Sequence, residues 1–185
     1  MNLWFRLIWM LITARFKAKV EPMGVSVLSF RAWPLDLDFN VQLTSSRYFA
    51  LADLARLDWV LRSGAWRVMW KHRSRPILSG ATARYRKEIK PWQRVEIWTR
   101  PLGWDAESGY YEHRFMRDGR VLAVVVAHAL FHGPNGSVDP AVIAKALGAD
   151  PVSPPLPTWL AQWATSSDGK AQAIRDEEAD SRSLH

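Results

Sequence analysis

Residues 33–62, WPLDLDFNVQLTSSRYFALADLARLDWVLR, decide the fold. The first half is rich in Asp36, Asp38, Asn40, Thr44, Ser45 and Ser46, residue types whose side chains satisfy local backbone groups in turns and helix caps. From Arg47 to Arg62 the apolar Leu51, Leu54, Leu57, Val60 and Leu61 recur at spacings of three and four, which places them on one face of a helix. Ser45 or Ser46 is the expected N-cap, and Gly64 marks the C-terminal stop. A shorter helix over Ala65–His72 can follow.

Working outward, Gly24–Trp33 alternates imperfectly between apolar and polar residues and reads as a strand stopped by Pro34. Beyond the helices the period changes. Ile77–Ile89, Val95–Leu102, Tyr110–Arg117 and Val121–Phe131 read as strands, with turns at Lys90-Pro91, Asp105–Gly109 and Asp118-Gly119, the last being the strongest hairpin signal in the chain. One strand, one long helix and four antiparallel strands make an α+β domain in which the helix must cover one face of the sheet. Gly133-Pro-Asn-Gly136 is a turn, and Asp139-Pro140 opens a short helix ending at Leu147-Gly148. The expected organisation is an N-terminal helix and basic lead-in over 1–23, the main domain over 24–148, a proline-rich linker with a short docking helix at Thr158–Trp163 over 149–164, and a disordered acidic tail over 165–185.

The chain has 185 residues, no cysteine and a formal charge of +7, so disulfides, zinc-thiolate sites and cysteine nucleophiles are excluded and a polyanionic partner is invited. No helix-turn-helix, finger or RNA-recognition signature is present, so nucleic acid is not the expected partner. Eleven tryptophans exceed what a core of this size needs and point to interfaces. At the N-terminus the uninterrupted apolar run Leu7–Ile12 is too short to span a bilayer, and Thr13-Ala14-Arg15 does not match a signal cleavage site. It reads as a helix packed through Trp4, Phe5, Leu7, Ile8, Leu11 and Ile12, or alternatively as a surface anchor in the headgroup region.

The stretch Asp38-Phe-Asn-Val-Gln42-Leu-Thr-Ser45-Ser-Arg-Tyr48 resembles the first motif of the hotdog-fold acyl-CoA thioesterases, D-x-x-(G/L)-H-x-N-N-x-x-Y. It is most similar to the branch related to 4-hydroxybenzoyl-CoA thioesterase and to thioesterase superfamily member six. The resemblance extends over roughly residues 1–148, through Trp33-Pro34, the Gly80–Arg86 strand, the Leu102–Asp105 turn and the Arg117–Arg120 hairpin. It implies a bent antiparallel sheet wrapped around a long central helix. It also implies a homodimer with sheets paired edge to edge, and hydrolysis of an acyl-CoA without metal or other cofactor. Asp38 keeps the family position and so does Tyr48, but Gln42 replaces the family's His, and Thr44 and Ser45 replace its paired Asn. Gln hydrogen-bonds as His does, yet it does not titrate near neutral pH.

Thioester hydrolysis needs an activated water or a carboxylate nucleophile, together with donors for the developing oxyanion. The resemblance makes Asp38 the base or nucleophile, Gln42 and Tyr48 its catalytic neighbours, and the helix N-terminal amides near Ser46–Tyr48 the oxyanion site. Asn40, Thr44, Ser45, Ser46 and Arg47 then orient the substrate. Asp53, on the helix three residues before Arg56 and near Asp58, is a second carboxylate candidate, with an ion pair to Arg56 as the structural alternative. Basic residues concentrate between Arg67 and Arg100, and Arg84 and Arg86 share strand parity, so both are expected on one side, either facing the coenzyme A phosphates that the resemblance implies or forming a solvated positive face. His113 and His128 are structural residues that could face each other across a hairpin. The alternative function is a noncatalytic acyl-CoA or lipid-binding hotdog protein at a membrane surface. The expected location is cytoplasmic, or peripheral at the inner membrane surface.

Overall fold

Along the chain the elements are α1 (Leu3–Ala14), β1 (Ser26–Arg31), α2 (Ser45–Ser63), α3 (Ala65–Lys71), β2 (Arg75–Tyr85), β3 (Arg94–Trp104), β4 (Ser108–Arg117), β5 (Arg120–Gly133), β6 (Gly136–Ser137), α4 (Pro140–Ala146) and α5 (Thr158–Ser183). The computed structural model describes residues 3–134 and 136–183. Asn135 of the expected turn and the last two residues of the expected tail lie outside them. The chain divides between Ser153 and Pro154 into two units, the second containing α5.

In the first unit an antiparallel sheet in the order β1-β3-β4-β5-β2, with β6 paired to the end of β5, curls around α2. Helix α2 runs over the expected residues because Leu51, Ala52, Leu54, Ala55 and Trp59 bury one face. Each such Leu contributes about 1.5–3 kcal/mol on burial. Against them lie Phe30, Ile97, Phe115, Ala123 and Val125 from the inner face of the sheet. Gly64 ends the helix in the left-handed region, at φ 80°. The two-residue loop between β4 and β5 places Asp118 and Gly119 at φ 49° and 72°, the primed turn that suits the twist of a hairpin. At the helix start Thr44, rather than Ser45 or Ser46, occupies the cap position, and no side chain caps it.

Three expectations are corrected. First, α1 buries only Met10 and Ala14, with Leu3 and Leu7 packed partly against the core, while Trp4, Phe5, Ile8, Leu11 and Ile12 are exposed. A helix apolar on all sides can cover only one stripe when a single surface lies beneath it. Second, the short docking helix and disordered tail are one helix, Thr158–Ser183. Low hydrophobicity signalled disorder, but the stretch contains no proline after Pro157 and is rich in helix formers, with Gln172 donating to Asp176 one turn on at 2.7 Å. Third, His113 pairs with Val125 and His128 with Tyr110, so the two histidines do not face each other.

Candidate functional site

The loop between β1 and α2 is built around two aspartates with separate duties. Asp36, fully buried, accepts from the Trp33 amide at 2.9 Å and from Arg6 Nη2 at 2.5 Å, and its Oδ1 lies 3.4 Å from Arg47 Nε, an ion-pair distance rather than a hydrogen bond. Through Arg6, which also donates to the Arg31 carbonyl at 3.0 Å, this carboxylate ties α1 to the loop. Arg47, expected at the substrate, is thus committed to Asp36. Thr44 likewise donates its amide to the Asp36 carbonyl at 3.0 Å.

Asp38 lies two residues on and is half-buried. Its Oδ1 accepts the amides of Asn40 at 2.9 Å and Gln42 at 3.4 Å, while its own amide donates to the Gln42 carbonyl at 2.8 Å. Between them Val41 adopts φ 59°, a left-handed conformation that a β-branched residue rarely takes. The loop therefore holds a strained residue in place through the same carboxylate oxygen that anchors it. Oδ2 takes no partner among the described residues.

Asp38, Gln42, Ser45 and Tyr48 come together with Tyr85, Arg86, Lys87 and Glu88 around a cleft of about 300 Å³. Tyr48 is buried, its ring against Tyr85 at 4.8 Å and Phe115 at 5.0 Å. Burial, then the charges of Tyr85 and Asp38, push its phenol up to about 12, so it remains a proton donor. At the helix start the Arg47 amide turns back to the Thr44 carbonyl at 2.9 Å, which leaves the amides of Ser45 and Ser46 unpaired among the described residues. Of these two donors Ser46 belongs to the expected Ser46–Tyr48 stretch and Ser45 precedes it. Asn40 is exposed, and neither it nor Ser46 lines the cleft.

Only one of Arg84 and Arg86 reaches this cleft. Strand β2 ends at Tyr85, and the amides of Arg86 and Lys87 both donate to the Leu122 carbonyl, at 2.8 and 3.0 Å, so the alternation breaks there. Arg86 lines the cleft and Arg84 does not. Lys87 and Glu88 are shared with a second, polar cleft of about 670 Å³ that also has Lys90, Arg117 and Arg120 in its wall. Glu88 pairs with Lys90 at 2.9 Å and Asp118 with Arg117 at 3.3 Å, whereas Lys87 and Arg120 have no ion pair among the described residues. The expected basic cluster contained Lys87 and Lys90 but omitted the hairpin arginines, which pairing of β4 with β5 carries to the same place.

Asp53 is elsewhere. It pairs with Arg56 at 2.5 Å, and both line a large apolar cavity of about 470 Å³ along the second half of α2, walled by Trp59, Trp66, Trp70 and Trp104. Asp58 is not part of that group. It is fully buried and holds Lys17 at 3.2 Å and Arg62 at 3.0 Å. The surplus of tryptophan was the sequence signal for this cavity, although it pointed only to interfaces. Beneath α2, buried His113 receives or gives one hydrogen bond at Thr99, 2.9 Å, and burial with the Arg56 charge holds its imidazole down at about 3.

A sheet curled around one helix, with a carboxylate loop feeding that helix, defines a hotdog-fold protein of the thioesterase type. The chain belongs to the thioesterase-like superfamily, whose sequence pattern matches residues 32–164. Protein THEM6 of Xenopus laevis is 32% identical to it over 170 residues, 87% of this chain and 80% of that one. Protein THEM6 of Danio rerio is 24% identical over 182 residues, 95% of this chain and 88% of that one. Among solved structures, the probable thioesterase YbaW of Escherichia coli superposes with a TM-score of 0.61 at 15% identity, over 65% of this chain and 95% of that one, a likeness of fold.

Proposed function

We propose that this chain hydrolyses an acyl-CoA thioester, with Asp38 as base or nucleophile. The observation that carries the reading is the meeting of Asp38, Gln42, Ser45 and Tyr48 in one cleft at the N-terminus of α2. A carbonyl set there is polarised by the unpaired amide of Ser45 and by the positive end of the helix dipole. Oδ2 of Asp38 either takes a proton from water as that water attacks the carbonyl carbon, or attacks the carbon itself to give a mixed anhydride that water then cleaves. Either way the carbon–sulfur bond breaks, the electron pair leaves with the coenzyme A sulfur, and a carboxylic acid is released. Gln42 and Tyr48 position the substrate without changing charge. Arg86, Lys87 and Arg120 supply the cations for the coenzyme A phosphates. A homodimer joined along β2 completes the reading, since that strand ends the sheet and exposes Ile77 and Leu78. Light scattering on the eluting protein should give twice the mass of one chain.

The second reading, an acyl-CoA binder without turnover, is favoured by Gln42, which cannot titrate where the family pattern has His. Free-thiol release from short, long and aromatic acyl-CoAs separates the two. Wild type should release thiol, and Asp38→Asn should lower kcat by about 10²–10⁴ with binding kept, the range of a lost general base. Unchanged release by the variant removes Asp38 from the mechanism. Binding with no release by wild type selects the second reading.

A further inference from the structure

Helix α1 presents two unlike faces. Leu3, Leu7, Met10 and Ala14 form the inward stripe, and Arg6 turns inward beside them to reach Asp36 and the Arg31 carbonyl, over the ring of Phe30 at 5.9 Å. The outward face consists of Trp4, Phe5, Ile8, Trp9, Leu11 and Ile12, with Trp4 74% and Trp9 70% exposed. Not one charged side chain interrupts it. Phe16 continues the apolar surface past the helix end at 86% exposure, between exposed Arg15 and, three residues on, exposed Lys19. Residues 1–20 contain four basic residues and no acidic one.

A solvated helix face of this composition loses free energy in water, because two indoles and four further large apolar groups lie side by side. Something must cover it, and the flanking charge selects what. In a pair related by a two-fold axis the patch meets itself, and residues 1–20 supply no acidic partner for Arg15 and Lys19. An anionic lipid surface instead attracts those cations and offers the amphipathic depth that Trp prefers. With 12 residues, α1 is about 18 Å long, and no helix among the described residues is long and apolar enough to cross a membrane. A bilayer would therefore hold α1 lying in its interfacial plane.

We propose that the outward face of α1, with Phe16, docks on an anionic bilayer surface. The docked helix is coupled to the loop of the candidate site, because Arg6 bonds Asp36 two residues before Asp38. The same loop exposes Leu35, Phe39 and Val41, with Phe39 92% exposed.

Co-sedimentation of the full chain with vesicles tests the proposal, using phosphatidylcholine alone and phosphatidylcholine mixed with phosphatidylglycerol. Wild type should sediment with the mixed vesicles and at least about tenfold less with the neutral ones. The combined variant Trp4→Ser, Phe5→Ser, Trp9→Ser should lose at least about tenfold of that binding while keeping the circular dichroism of wild type, since all three side chains are exposed. Arg15→Glu with Lys19→Glu should remove the preference for the anionic lipid. Val152→Ser, an exposed apolar residue far along the chain, should bind as wild type does. Three results would overturn the proposal: no binding by wild type, undiminished binding by the triple variant, or a wild-type particle whose mass falls by half in that variant. The last would assign the face to a second copy.

Discussion

The two ends of α2 carry opposite environments although one helix makes both. Its N-terminal end meets Asp38, Gln42, Arg86 and Lys87 in a small polar cleft, while its C-terminal half borders a larger apolar cavity with four tryptophans. Helix geometry supplies unpaired amides at the first end only. The second end offers volume and apolar surface, and its one charged pair, Asp53–Arg56, neutralises itself. The polar end sets a carboxylate beside unpaired helix amides, and on that difference the proposal rests on Asp38 rather than on Asp53.

The sharpest break in that comparison comes from separating Asp36 from Asp38. Asp38→Asn should remove most activity, as above, and shift the urea-derived stability by less than about 1 kcal/mol, because Asn still accepts two amides. Asp36→Asn should cost about 3 kcal/mol, since it leaves Arg6 and Arg47 largely buried without their counter-charge. Urea midpoints of both variants check this. A stability loss in Asp38→Asn as large as that in Asp36→Asn would mean that the polar end is scaffold rather than site.

Next in size is a pH effect centred beneath the helix. His113 is held neutral, at about 3 against an ordinary 6.5, by burial and by the charge of Arg56. Between pH 6.5 and 3 the unfolded chain therefore binds a proton that the folded chain refuses, so stability falls as pH falls through that window and is flat above it. The expected loss is about 2 kcal/mol from pH 6.5 to pH 5, read from urea midpoints. His113→Phe should flatten this part of the profile. An unchanged slope would place the titrating group elsewhere.

Much of this architecture is legible in the sequence, because α2 and the strands carry distinct periods and Gly64 and Asp118-Gly119 are strong stop signals. The position of Asp38 and Tyr48 is legible through the family motif. What is not legible depends on tertiary placement. Asp36 and Asp38 are both turn-forming aspartates in sequence, and only the arrival of Arg6 from 30 residues upstream distinguishes the buried one. Arg84 and Arg86 share parity until the strand stops at Tyr85. For α1 the sequence shows a helix apolar on all sides, but which stripe meets the core depends on where Arg6 is tethered. The cavity is assembled from segments of three helices and parts of several strands, so no local pattern announces it.

The smallest effect is the most direct test of the two-ended view. Asp53 is 53% exposed in its side chain, and its pair with Arg56 spans one helical turn. Such pairs contribute about 0.2–1 kcal/mol, so Asp53→Asn should shift stability by less than about 1 kcal/mol. The kcat for thiol release should stay within about threefold of wild type, because the proposed reaction runs at Asp38 and not at this end of the helix. A fall of about 100-fold or more, with the urea midpoint unchanged, would reverse the assignment. The carboxylate on the helix would then be the reacting group and the apolar cavity the place of the thioester, and Asp38 would be left with the role its two amide bonds already describe, that of a loop anchor.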